Sequence, residues 1–205
     1  MKDTKHKILD AALNLFSVKG YDGVSVKDIA EQVGIKDSSL YKHYLSKQEI
    51  FDRLVEHMYE EYGKIALSLS VSENIEEVIE RYKTISEDDL LKIACGFFLY
   101  FAKDERASKF RRILTMEQFR NEKISALYKA LYFENVLTYH SIIFKGLIDS
   151  GVFIEADPEI VALHFYSPIF LLITSYDEQK INESEALEKL AKHIRQFRKI
   201  YNKES

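Results

Sequence analysis

Residues that end or kink a helix are scarce in this chain: two prolines, Pro158 and Pro168, and seven glycines in 205 residues, three of them before position 35. A chain so poor in breakers is expected to be mostly helix. A single cysteine, Cys95, excludes an internal disulfide and suits a reducing compartment. No basic stretch followed by an apolar run opens the sequence, so no signal peptide is expected. The longest apolar stretch, from Ile160 to Thr174, is interrupted by His164, Ser167 and Pro168 and falls short of the roughly 20 residues of a membrane span. These absences predict a cytoplasmic protein with no membrane partner. Enzyme signatures are missing too: there is no Glu-x-x-His pair, no His-Glu-x-x-His, no Gly-rich phosphate loop and no Cys-x-x-Cys. His140 and His164 are two scattered histidines, more often satisfied core or surface groups than ligands, and neither a metal nor another cofactor is expected.

A strong excess of one charge is also lacking. The net charge of −4 argues against a polyanion-binding surface spread over the whole molecule. Residues 1–50 hold eight Lys against seven Asp or Glu, which makes the N-terminal part slightly basic and leaves the remainder acidic. Hydrophobic content of 46% and charged content of 30% describe a globular chain, and its length allows one domain or two small ones.

The informative stretch is SVKDIAEQVGIKDSSLYKHYLSK, from Ser25 to Lys47. Val26, Ile29, Ala30 and Val33 recur at i, i+3, i+4 and i+7, the spacing of one helix face. Ser25 with Asp28 forms a capping-box pattern at its start, and Gly34 follows as a helix stop. A second short helix restarts at Lys36 or Asp37, with Leu40 and Tyr44 facing inward and Lys36, Ser38, Ser39, Tyr41, Lys42 and His43 on the outer face. Helix, short turn with glycine, helix with a donor-rich face is the spacing of a DNA-binding helix-turn-helix, here about 25–44. The helix N-terminus at Ser25 is suited to a phosphate, to which the serine hydroxyl can also donate.

Taken with the flanking pieces TKHKILDAALNLFSVKGYDGVSVKDIA, VGIKDSSLYKHY and LSKQEIF, the segment from Thr4 to Phe51 resembles the DNA-binding domain of the TetR family of bacterial transcriptional regulators. The resemblance implies an all-α fold in which a three-helix head is joined by a long helix to a C-terminal helical bundle that dimerises. It divides the chain into a DNA-binding domain, 1–47, and an effector-binding and dimerisation domain, 48–205. It carries over Tyr41 as a backbone or base-edge contact, His43 as a backbone contact and Lys47 as a phosphate contact. The chain departs from the family where Lys36 replaces a small hydroxyl residue and Ser38 a Gly or Pro; Asp37 is the candidate to cap the second helix in place of Lys36.

Elsewhere the pattern stays helical. A first helix after Thr4 has the apolar face Ile8, Ala11, Ala12, Leu15 and Phe16, with Lys2, Lys5 and Lys7 in its arm and first turn. A long helix begins at Lys47 with Phe51, Leu54, Val55 and Met58 on a stripe that continues to Leu69. A single long helix is expected from about Asn121 to Ser150, and another from Pro158 with a kink at Pro168. The last helix carries a narrow seam, Leu187, Leu190, Ile194, Phe197 and Tyr201, expected to pair with a second copy, with packing inside its own monomer as the alternative. Aromatic residues are abundant, 13 Phe and 13 Tyr. Most must be core, and Phe97, Tyr100, Phe101, Phe119, Tyr128, Tyr132, Tyr139 and Phe165 are candidates to line an apolar pocket for a small hydrophobic effector. Cys95, Glu134, His140 and His164 are candidates for its polar groups. The resemblance thus implies a ligand-responsive repressor acting as a homodimer on a pseudo-palindromic double-stranded DNA operator; a helical protein-interaction module or helical small-molecule enzyme without DNA binding is the alternative.

Overall fold

The computed structural model describes residues 4–68, 74–177 and 181–203; Lys2 and Leu69 lie outside them. Among these the fold is all-α: α1 (Thr4–Lys19), α2 (Val26–Val33), α3 (Asp37–Leu40), α4 (Lys47–Ser68), α5 (Ile75–Thr84), α6 (Glu87–Lys103), α7 (Glu105–Glu117), α8 (Glu122–Lys129), α9 (Asn135–Asp149), α10 (Pro158–Asp177) and α11 (Glu183–Tyr201). The helix expected over 121–150 runs without a gap from Glu122 to Asp149, with a π-helical turn, Ala130–Glu134, inside it between α8 and α9. There the Asn135 amide reaches back to the Ala130 carbonyl, one residue further than in an α-helix.

The chain forms two compact units. One takes Met1–Ala66 together with Glu105–Tyr128, a grouping different from a cut at residue 47. Its core holds Ile8, Leu13, Phe16, Ile29, Leu40, Ile50, Phe51, Leu54 and Met58 from the N-terminal helices and Phe110 and Ile113 from α7. Leu13 takes the buried place expected of Leu15, which is only half-buried. Side chains of α7 tie it to the head. Arg106 pairs with Asp10 on α1 and, at 3.1 Å, with Glu61 on α4; Lys109 donates to the Asn14 amide oxygen at 2.6 Å.

The other unit takes Leu67–Asp104 and Lys129–Ser205. Phe144, Phe165 and Phe197 meet at its centre, with ring centroids 5.1–5.4 Å apart, in the range favoured by aromatic pairs. The C-terminal seam packs here: Leu190, Ile194, Phe197 and Tyr201 are buried in the core of their own unit, with Leu187 partly buried against it. The expectation that this seam is a dimer face is therefore corrected, because α11 spends its apolar side on α6 and α10. The backbone after α11 is also fastened, with Ile154 N–H donating to the Tyr201 carbonyl at 2.8 Å and Lys203 N–H to that of Val152 at 2.9 Å.

By length and composition α10 is long and apolar enough to cross a membrane. Its Val161, Ala162, Phe165, Leu172 and Ile173 nevertheless lie in the core of this unit. Asp157 caps it by accepting from Glu159 N–H at 2.9 Å, Pro158 opens it as the sequence predicts, and the helix runs on past Pro168. His140 sits among Phe144, Phe165 and Tyr166, its Nδ1 2.8 Å from the Val136 carbonyl. A carbonyl only accepts, so Nδ1 carries the proton, and burial holds this imidazole below the usual histidine range.

Helices α5 and α9 approach closely at Gly146, where an added Cβ would lie 2.6 Å from Ile79 Cδ1 and 2.9 Å from its Cγ2. Both contacts belong to a β-branched side chain with little freedom to move. Gly146→Ala gains about 1 kcal/mol in helix propensity, but overpacking outweighs it. The variant is expected to be less stable than wild type by about 1 kcal/mol net, read as a lower urea midpoint with unchanged slope.

Candidate nucleic-acid interface

Helix α2 begins with both halves of a capping box closed. The Ser25 hydroxyl accepts from Asp28 N–H at 3.1 Å, and Asp28 Oδ2 accepts from Ser25 N–H at 2.7 Å and from the Ser25 hydroxyl at 2.6 Å. Those donors, the hydroxyl first, hold the Asp28 carboxyl below the usual carboxylate range. The Ser25 proton is therefore engaged within the protein, and a phosphate at this end would have to compete with Asp28 for it. At the other end Gly34 adopts φ 78°, and Ile35 N–H reaches the Ala30 carbonyl at 3.0 Å. A left-handed residue at this point favours glycine and turns the chain sharply into α3.

Helix α3 is a single turn, from Asp37 to Leu40. Its N-cap is Lys36, which makes no side-chain cap bond, and Asp37 is the first helical residue rather than the cap. Helical backbone bonding carries beyond it, with His43 N–H and Tyr44 N–H both reaching the Leu40 carbonyl, at 2.8 and 3.1 Å. Leu40 is fully buried and Tyr44 is 6% exposed. Their burial turns Ser38, Tyr41 and Lys42 outward, all exposed together with Lys36, while Ser39 and His43 are half-buried.

Lys47 opens α4, and its placement is more specific than the sequence suggests. Its ammonium donates to the Tyr21 carbonyl at 2.9 Å and lies 4.2 Å from the centroid of the Tyr21 ring. An ammonium has three N–H donors, so two remain for a phosphate. Tyr21 is held in turn, its N–H donating to Glu117 on α7 at 2.8 Å and its hydroxyl to Gln48 at 2.9 Å. Neither Tyr21 nor Glu117 stands out in the sequence, since 96 residues separate the pair. Ser46 and Glu49 cap α4, the hydroxyl accepting from Glu49 N–H at 3.1 Å and the carboxylate from Leu45 N–H at 2.6 Å.

The effector candidates do not all come together. Phe119 is 87% exposed, in the turn after α7, and has no apolar surroundings to make it a pocket wall. Tyr128 is buried, but in the unit that contains the head. Phe165 belongs to the aromatic core rather than to a free wall. In the second unit Phe97 stacks with Phe101 at 6.4 Å and Tyr100 meets Phe101 edge-on at 5.1 Å. Tyr132 is buried beside Phe170, and Tyr139 is half-buried, its hydroxyl pKa raised by burial. Of the polar candidates, Glu134 and His164 are exposed, His164 with Nδ1 2.7 Å from the Tyr201 hydroxyl, and Cys95 is half-buried, its thiol pKa pushed up by burial. No group of three or more His, Cys, Asp or Glu side chains placed to hold a metal occurs among the described residues.

The head matches a family model, that of bacterial regulatory proteins of the tetR family, over residues 8–54. Residues 8–54 are thus a DNA-binding head of the TetR type. Among curated relatives, the biofilm operon icaADBC HTH-type negative transcriptional regulator IcaR of Staphylococcus epidermidis is 51% identical over 55 residues, 27% of this chain and 30% of that protein. IcaR of Staphylococcus aureus is 44% identical over 63 residues, 31% of this chain and 34% of the relative. The match thus spans about a third of the length of these relatives. Solved structures extend the likeness in fold to the whole chain. The SmeT–triclosan complex superimposes with a TM-score of 0.68 at 19% identity, covering 100% of this chain and 94% of the other; SmeT is described as the repressor of the Stenotrophomonas maltophilia multidrug efflux pump SmeDEF. A TetR transcription regulator from Haloarcula marismortui gives 0.68 at 15% identity, covering 98% and 100%. These relatives are named as transcriptional regulators or repressors.

For this TetR-family head, Lys47→Ala is expected to lower the slope of log affinity against log salt by about one, the signature of one lost phosphate contact. Titrations of a bound duplex at several salt concentrations read it, and an unchanged slope would place Lys47 off the phosphate.

Proposed function

We propose that the protein is a sequence-specific DNA-binding regulator of transcription, a repressor that acts as a homodimer on a pseudo-palindromic operator and lets go of DNA when a small hydrophobic effector binds. The observation that carries this reading is the outward row of Ser38, Tyr41 and Lys42, held out by the burial of Leu40 and Tyr44 and flanked by the α2 N-terminus at Ser25 and by Lys47. A short helix with exposed donors is what the major groove admits, and flanking cations and helix ends grip the backbone. Lys36, free of a capping bond, is available to a guanine edge or a phosphate. The IcaR relatives are named as negative transcriptional regulators, which favours repression. A DNA-binding protein of this kind works in the cytoplasm. In functional terms the proposal keeps residues 1–47 as the DNA-binding part and assigns effector binding and dimerisation to the rest.

For dimerisation, the surface that favours a second copy is on α10. Ile160, Leu163 and Leu171 are exposed there, Leu171 at 64%, at spacings that keep them on one side of the helix. An apolar stripe left open on one copy is best covered by its twin in an isologous contact. Two heads would then read half-sites about one helical turn or somewhat more apart. For the effector, the aromatic set on α6, Phe97, Tyr100 and Phe101, together with Tyr132 and Tyr139, supplies apolar and hydroxyl surface for a molecule of the triclosan type bound by SmeT. Such a ligand shifts DNA affinity only as far as it binds the two conformations unequally.

Genomic fragments captured on the full-length protein and sequenced are expected to share one pseudo-palindromic motif; recovery of fragments without a common motif would refute sequence-specific regulation. Leu171→Glu is expected to sediment as a monomer and to lose at least tenfold in affinity for the captured motif, whereas a dimeric Leu171→Glu would move the interface away from α10.

A further inference from the structure

Lys47 stands where a helix holds a cation least well. The free N–H groups at the start of α4 give that end partial positive charge, so an ammonium on its first residue is disfavoured unless something else holds it. What holds it is Tyr21, through a carbonyl oxygen at 2.9 Å and a ring centroid at 4.2 Å. The Tyr21 ring is fixed by the head, packed against Phe16 and Phe51 with centroids 5.7 and 5.0 Å away. Its backbone is fixed by α7. Glu117, the last residue of that helix, is 6% exposed, and its Oε1 accepts the Tyr21 N–H at 2.8 Å. The turn comes so close to this carboxylate that a Cβ added to Gly20, itself at φ 70°, would lie 3.3 Å from Oε1. The Glu117 backbone is held as well, its carbonyl accepting from Arg120 N–H and Asn121 N–H, both at 3.0 Å. The neighbouring Arg120–Asp22 pair, at 3.3 Å, is exposed on both sides and contributes little. All of these residues belong to one compact unit.

Resting on the DNA-binding reading, we propose that Glu117 is a positioning residue for DNA binding: by accepting the Tyr21 N–H it holds the carbonyl and ring that aim the Lys47 ammonium at a phosphate. It acts through Tyr21 and Lys47, not by meeting DNA. By charge alone, a carboxylate in a DNA-binding head weakens binding to the phosphate backbone. This one strengthens it, by sparing the lysine the ordering cost of finding its phosphate. The sign of the effect of its removal therefore separates the two roles.

The test is a double-mutant cycle on the full-length protein, with affinities for the duplex recovered by genomic capture measured at one salt concentration. Glu117→Ala is expected to bind about three- to tenfold more weakly than wild type, the ordering cost of one long side chain. Combined with Lys47→Ala, it is expected to cause no further loss. Glu117→Gln gives up the charge but keeps an acceptor oxygen for the Tyr21 N–H, and is expected to stay within about twofold of wild type. Helical circular dichroism checks the fold of each variant, and Glu117→Leu, which fills the space without an acceptor, takes the place of an unfolded Glu117→Ala. Glu117→Ala binding as tightly as wild type or more tightly, an equal loss in both backgrounds, or Glu117→Gln as weak as Glu117→Ala overturns the assignment while the DNA-binding reading stands. Loss of fold in both the Ala and Leu variants makes Glu117 structural and overturns it too. Failure of the wild type to recover any duplex overturns the assignment and the DNA-binding reading together.

Discussion

Burial of Leu40 and Tyr44 is the constraint on which the head depends. These two side chains, four residues apart, pin to the core the single turn of α3 and the turns that follow it. An isolated turn has no stability of its own, since nucleating it fixes several residues for one hydrogen bond. Its conformation is therefore borrowed from the core it is pinned to, and from the left-handed Gly34 that sets its direction. Every exposed group in the row, from Lys36 to Lys42, takes its position from those anchors.

The second anchor comes from far along the chain. Helix α7 lies within the same compact unit as the head, its Arg106, Lys109 and Glu117 bonded to Asp10, Asn14 and the Tyr21 amide. Through Tyr21, whose carbonyl and ring both hold the Lys47 ammonium, a side chain of α7 is two contacts from a group read as a phosphate clamp. The polar contacts at the DNA-facing surface are thus continuous with helical packing well outside residues 1–47. Lys47 is pre-positioned at the start of α4 rather than searching solvent, which reduces the side-chain ordering that binding must supply.

Local chemistry made the head legible in the sequence. The Ser25–Asp28 box, the Gly34 stop and the inward pair Leu40 and Tyr44 each rest on a rule that acts within four residues, and each is present in the structure. The α11 seam misled because periodicity says which face of a helix is apolar but not what covers it; Leu190, Ile194 and Phe197 are covered by their own unit. The long helix over 121–150 is present, but the π-helical turn at Ala130–Glu134 inside it leaves no trace in an apolar pattern. Phe119 was grouped with the core aromatics by type alone, and a turn carries it into solvent. Lys36 shows the limit of capping rules at a departure from the family pattern: Asp37 was the better capping residue by chemistry, yet the helix starts at it instead of after it.

The central claim is that the face opposite Leu40 and Tyr44 is the surface that meets DNA. Backbone amide spectra of the full-length protein, recorded with and without its captured duplex, test it most directly. The account predicts that the largest shifts cluster at Ser25 and from Lys36 to Lys47, with the buried positions of α9 and α11 little changed. Shifts that avoid Ser38, Tyr41 and Lys42 while appearing elsewhere would contradict it, and the helix-turn-helix would then be a structural element with no part in recognition.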